Sequence, residues 1–337
     1  MPRKLVLFGN GLGRALSNEH FQLQNAMTAV WQDEDCLSNV ERQLIATSIE
    51  GVEAAEGPSN EEQLLGTQLA LIAIRLLRTA TNDDALQHWI TPAAQAFPAA
   101  LGRYTFQVAK HFHNYPENLT AQNKWQTFVS HLVRFIFDSK SHVATLNYDT
   151  LLYSPFNEVQ EIKGRQIKLC NGFNGTLLDG YTNGLGFSAQ NMERRYNPRD
   201  KAYYMHLHGS PLFVDDGNGR TSKLTRAELV AEEGNRRSHV VLTSGTMKPS
   251  VIAASKVLRM YWDHLPIAIE EADEIVIFGY SGADDHLNKV IKTERGDKPV
   301  RIIERPHDED RNAYWVSKLG SNITIHEFDN VLEFTDW

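Results

Sequence analysis

Five short apolar runs in this sequence end alike, in glycine or a compact polar side chain. Lys4–Phe8 (KLVLF) runs into Gly9-Asn10-Gly11-Leu12-Gly13, and Val143–Leu146 into Asn147-Tyr148-Asp149. Tyr203–Leu207 runs into His208-Gly209-Ser210, Glu274–Phe278 into Gly279-Tyr280-Ser281, and Val300–Ile303 into Glu304. A strand buried on both faces reads as a continuous apolar run, and such strands belong to parallel sheets covered by helices. In open sheets of that kind, ligands sit beyond the carboxyl ends of the strands. The pattern therefore predicts an α/β fold, a Rossmann-like doubly wound parallel sheet with its polar residues gathered at one edge.

Two stretches depart from this pattern. From about Asn18 to Lys140 no strand signal stands out. Cys36–Val52, Gln63–Leu77, Ala99–His113 and Lys124–Phe137 carry apolar residues at helical spacing, with Gly57-Pro58, Pro92 and Pro116 as breaks. Gln63–Leu77 is apolar all round and predicts a buried helix. The second stretch is rich in turns. Val159–Ile162, Lys163-Gly164-Arg165 and Gln166–Cys170 predict a hairpin, and Leu212–Leu224 a second one around Asp215–Gly219. Val240–Thr243 and Ile323–Phe328 read as further strands. Val251–Leu265 reads as a helix ended or kinked by Pro266, and Leu287–Thr293 as another. The expected organisation is a sheet domain over residues 1–17 and 141–337, with a helical insertion or subdomain over 18–140 and a hairpin-rich insertion.

Composition narrows the function classes. The 337 residues carry 34 Lys+Arg against 42 Asp+Glu, a net charge of −8, which argues against a surface that neutralises many phosphates of a nucleic acid. No window reaches membrane-spanning length. Met1–Phe8 enters a strand at once, leaving no room for a signal peptide. A cytoplasmic protein without a membrane partner is expected. Two cysteines, Cys36 and Cys170, can form neither a disulfide framework nor a four-cysteine zinc site.

Each polar cluster admits a functional and a plain reading. Gly9-Asn10-Gly11-Leu12-Gly13 suits a phosphate cradle or an ordinary tight turn. Its spacing is not that of the dinucleotide fingerprint, and no acidic residue follows about twenty residues on. Asn147 and Asp149 can orient a polar ligand and a developing cation, or close an Asx turn. His206 and His208 share a strand face. Nearby spacing suggests no third ligand, so no metal is expected, and His208 at the strand end suits general-base work. His206 reads as a packed or hydrogen-bonded histidine. Gly279 and Ser281 can contact phosphate or ribose, whereas Asp284 or Asp285 reads as the cap of the next helix. Glu304 can accept ribose hydroxyls or stand as a solvated charge.

Taken in order, these motifs resemble the sirtuin family. That family has a glycine loop after its first strand, then an Asn-x-Asp element, a His-Gly, a Gly-Ser loop and a late strand contacting the adenosine ribose. Here these are Gly9–Gly13, Asn147-Tyr148-Asp149, His208-Gly209, Gly279–Ser281 and Glu304. The resemblance covers about half of the chain. Protein-deacylating sirtuins carry a four-cysteine zinc module after the His-Gly, and no cysteine follows Cys170 here. The pattern is more similar to bacterial sirtuin-like effectors of antiviral defence, which cleave NAD to nicotinamide and ADP-ribose.

That resemblance implies NAD as substrate, with no metal. It implies Asn147, His208 and Asp149 as catalytic residues, and Gly9, Asn10, Gly11, Gly13, Gly279, Ser281 and Glu304 as NAD contacts. It also implies an oligomer or a regulatory partner encoded nearby, since an unregulated NAD hydrolase would starve its own cell. A nucleotide or ADP-ribose sensor without turnover, and a zinc-free deacylase or ADP-ribosyltransferase, are the alternatives.

Overall fold

A computed structural model describes residues 1–80, 91–157, 168–173, 186–193, 201–216, 218–308 and 310–337. Seven strands form one sheet in the order β10-β9-β8-β1-β2-β4-β3, and every pairing in it is parallel. They are β1 (Lys4–Phe8), β2 (His142–Thr145), β3 (Lys168–Cys170), β4 (Lys201–His206), β8 (Glu274–Phe278), β9 (Val300–Glu304) and β10 (Ile323–Glu327). The central strands are the apolar runs of the sequence. Leu5, Val6, Leu7 and Phe8 are fully buried, as are Ile275, Val276, Ile277 and Phe278 beside them. The Rossmann-like parallel sheet is thus the observed fold. Its strand order reverses about β1, so the crevice where ligands collect opens beyond β1 and β8.

All the regular structure described between residues 18 and 140 is helical. Because β1 and β2 are neighbours in the sheet, this whole stretch is a crossover between two adjacent parallel strands. Its last helix, Asn123–Ser139, lies on the sheet. The Phe128 ring sits 5.1 Å from that of Phe278, and Trp337 at the chain end closes the same aromatic cluster. Lys140 in the left-handed conformation stops that helix immediately before β2.

Three expectations need correction. The helix Leu65–Ala80 is not buried all round, because Leu65, Leu69, Ile72 and Leu76 are 40–66% exposed. Their spacing puts them on one face, whereas Thr67 faces inward with Leu64 of the preceding turn. Periodicity reports which residues are apolar, not which face finds a neighbour. Pro266 does not end its segment, since the helix Lys256–Glu271 runs through it. The missing N–H costs that helix one hydrogen bond, outweighed by a buried stripe that includes Leu258, Tyr261, Leu265 and Ile269. The helix expected over Val251–Leu265 is two, Lys248–Ala253 and Lys256–Glu271, because Ser255 caps the second by accepting from the Leu258 amide.

The hairpin expected at 159–170 lies largely outside the described residues. Its described end, β3, pairs in parallel with β4. The second hairpin is present. β5 (Gly209–Asp215) pairs antiparallel with β6 (Thr221–Lys223) and with β7 (Ser238–Val240), which lies slightly earlier than the Val240–Thr243 expected.

Candidate active site

A cavity of about 400 Å³ opens at the carboxyl ends of β1, β2, β4, β8 and β9. Gly9, Asn10 and Gly11 line it, as do Asn147, Asp149 and His208. Gly279, Ser281 and Glu304 complete the set of expected residues in its wall. Gly13 is not part of that wall. Its α-carbon abuts the Phe21 ring, where a Cβ would come within 2.7 Å.

The glycine loop is shaped by a loop-to-loop contact. Gly9 donates to the Phe278 carbonyl at 2.9 Å and Gly11 to the Gly279 carbonyl at 2.7 Å. A Cβ on Gly11 would lie 2.6 Å from the Gly279 α-carbon, and Gly279 itself has φ +60°. The glycines let β1 and β8 bring their loops together. Two amides that a phosphate cradle would use are therefore already engaged. Asn10 also looks inward, its side-chain amide donating to the Phe21 carbonyl at 2.8 Å.

Asn147 is 5% exposed, and neither its amide nitrogen nor its carbonyl oxygen has a hydrogen-bond partner. An orphaned buried amide at a cavity wall is costly in the empty protein, so such a group marks a place where a ligand supplies the missing bonds. Asp149 accepts from the Leu151 amide at 3.1 Å, and burial pushes its carboxyl up to about 7. Its proton is thus held far more tightly than that of an ordinary carboxyl.

His208 lies between β4 and β5. Gly209 after it has φ +84°, and a Cβ there would meet the His239 carbonyl oxygen at 1.7 Å, so the chain can turn here only through glycine. The His208 Nε2 lies 2.9 Å from Asp284 Oδ2. Burial alone would raise the Asp284 carboxyl. The bond from His208, the Lys248 charge and the Leu287 amide outweigh it and hold that carboxyl below its usual range. An ionised carboxylate only accepts, so Nε2 carries the hydrogen and Nδ1 is the basic nitrogen of the neutral ring. His206, two residues earlier, is sealed among Tyr153, Tyr204 and Phe213, and burial pushes it down to about 3. It is a packed, uncharged residue, as the sequence reading expected.

Four residues outside the sequence-derived set complete this end. Asp284 serves both as helix cap, its Oδ1 accepting from Leu287 at 3.0 Å, and as partner of His208. Its sequence signal pointed only to the cap. Lys248 bridges Asp284 at 3.5 Å and Glu61 at 3.1 Å. Burial would lower its ammonium, but the two carboxylates outweigh that and raise it, so it stays charged. Glu61 and Glu62 come from the helical block, and Glu62 also accepts from the Gly245 amide at 3.0 Å. Nothing in the local sequence marks Lys248 or Glu61, since their pairing spans far-apart segments.

At the opposite end, Glu304 is buried rather than solvated. It receives a bidentate pair from Arg311, at 2.9 and 2.7 Å, and a bond from the Trp315 indole at 3.1 Å. Arg14 and Arg305 line the cavity beside it. Among the described residues no group of three or more His, Cys, Asp or Glu is arranged to hold a metal ion. No described helix is long and apolar enough to cross a membrane.

No family model matches the chain, and no curated protein does either. A solved structure described as "Structural Basis for the Mechanism and Regulation of Sir2 Enzymes" aligns with 98% of this chain and 89% of its own, at 10% identity and a TM-score of 0.40. The fold assigned here rests on this chain's own strand order, not on that likeness.

Proposed function

We propose that this protein is an NAD+ glycohydrolase, releasing nicotinamide and ADP-ribose. The observation that carries the proposal is the polarity of one cavity. Around His208 and Asn147 the carboxylates Asp149, Asp284, Glu61 and Glu62 outnumber the ammonium of Lys248, and Arg14 and Arg305 line the wall with Glu304. A pyridinium dinucleotide has the complementary polarity, with a cationic base at one end and phosphates beyond it.

In the reaction, the bond from ribose to the nicotinamide nitrogen breaks and its electron pair neutralises the pyridinium. Positive charge builds on the ribose, which becomes oxocarbenium-like. Ionised Asp149 opposes that charge, and its raised carboxyl makes ionisation responsive to the charge developing beside it. The unpartnered amide of Asn147 positions the attacking water or a ribose hydroxyl. Water adds its oxygen to the anomeric carbon, and His208 Nδ1 takes the proton, with Asp284 orienting the ring. General-base help of this kind is worth ~10²–10⁴-fold in rate.

The helical block supplies a point of control. The turn Glu61–Leu64 leads directly into the helix Leu65–Ala80, so a shift of that helix moves Glu61 against Lys248. We read the protein as a triggered effector of antiphage defence, acted on through this block by self-association or by a regulatory protein encoded nearby. The test is incubation with NAD+, alone and with the products of neighbouring genes. Nicotinamide release that is lost in Asn147→Ala and His208→Ala supports the proposal. Unchanged NAD+ under every such condition, with both variants behaving as wild type in cells, removes it.

A further inference from the structure

The basic end of the cavity carries more positive charge than the chain balances. The Glu304 carboxylate is bound by Arg311 and by the Trp315 indole. That leaves Arg14 and Arg305 facing the cavity, and among the described residues neither makes an ion pair with a carboxylate. Among the described residues, the Arg14 side chain is held by the neutral Asn18 oxygen, at 2.7 Å. Burial and the nearby Arg305 charge both push the Arg14 guanidinium down, as expected where two like charges share a wall without a counter-ion.

We propose that the dinucleotide this site prefers carries a phosphate on its adenosine ribose, read by Arg305 together with Arg14. This rests on the dinucleotide reading above and names the substrate class within it. Two features separate such a phosphate from the pyrophosphate common to all these dinucleotides. Arg305 directly follows Glu304 at the end of β9, which stands two strands from β1. With about 4.8 Å between strands, β9 stands about 7 Å from the middle of the β1–β8 crevice where the pyrophosphate lies. An acidic residue at a ribose-facing strand end also repels a ribose phosphate when its charge is free, and selects the unphosphorylated ribose. Here Arg311 neutralises that acid, and the next residue in the chain is a second arginine.

The test is calorimetric binding of NADP+, NAD+, adenosine 2′,5′-bisphosphate and AMP to the whole chain. NADP+ is expected to bind at least about tenfold more tightly than NAD+, and the bisphosphate more tightly than AMP by a similar factor. In Arg305→Gln the NADP+/NAD+ ratio is expected to fall to within about twofold. Equal binding of the two dinucleotides by wild type, or a variant that weakens both and keeps their ratio, overturns the proposal and assigns the arginines to the pyrophosphate. If neither dinucleotide binds, the dinucleotide reading itself falls. Should Arg305→Gln fail to fold, the wild-type ratio alone decides.

Discussion

The two ends of the cavity are built in opposite ways. At the His208 end the charges are interlocked. Glu61 holds Lys248, Lys248 holds Asp284, and Asp284 holds both His208 and the start of a helix. These groups come from the helical block, from the segment after β7, from the β8 loop and from the turn after β4. At the Glu304 end the carboxylate is closed off, and two arginines stand without an acidic partner among the described residues. An interlocked network holds reacting groups in place before substrate arrives. An unbalanced one gains most when the ligand brings the missing charge. On the proposed function, chemistry belongs at the first end and selectivity at the second.

The largest expected effect comes from the first end. His208→Ala and Asn147→Ala are each expected to lower kcat by about 10²–10⁴-fold in a nicotinamide-release assay, while the fold survives. An effect confined to KM would mean that this end only binds. Next comes Asp284→Asn. Asparagine caps a helix about as well as aspartate, so the variant keeps the cap and loses the charge. A drop of about 10²-fold in kcat is expected, with a shifted pH–rate profile, because His208 loses the anion that fixes its tautomer. A variant that turns over normally with an unchanged pH–rate profile would make Asp284 only a cap.

Asp149→Asn tests a smaller effect, on stability. Burial pushes the Asp149 carboxyl up to about 7 in the fold, well above its usual 3.8. The folded state therefore holds this proton more tightly than the unfolded chain. Below about pH 4 both states are protonated and there is no penalty. Between about pH 4 and 7 the penalty grows, and above that it is constant, at most about 4 kcal/mol. The variant is expected to gain Tm over wild type at pH 8 and to gain little at pH 4. An equal difference at both pH values would show that Asp149 is not held proton-loving by burial. The smallest effect is expected from Glu61→Gln. Lys248 is buried but keeps Asp284 as a second partner, so about 2 kcal/mol of stability is at stake. Salt is expected to shrink the difference between variant and wild type.

Much of the fold was legible because buried parallel strands announce themselves as apolar runs. Lys4–Phe8 and Glu274–Phe278 match their strands residue for residue. The site was legible where chain direction alone places a residue. Asn147 and His208 stand at strand ends, and strand ends of a parallel sheet converge. What stayed hidden depends on partners far along the chain. Asp284 uses one oxygen locally and the other on a histidine 76 residues away, and only the local use leaves a sequence signal. Glu61 and Lys248 meet across still longer separations. The fully engaged carboxylate of Glu304 was equally invisible, since Arg311 lies in the helix that follows β9.

The central claim is that this polarised cavity cleaves the bond between nicotinamide and ribose. Its most direct measurement is mass-spectrometric product analysis after incubation of purified protein with NAD+ and NADP+. Nicotinamide together with ADP-ribose or its phosphorylated form, absent from the Asn147→Ala reaction, is the expected result. Intact dinucleotide from wild type and variant alike, with and without the products of neighbouring genes, would contradict it.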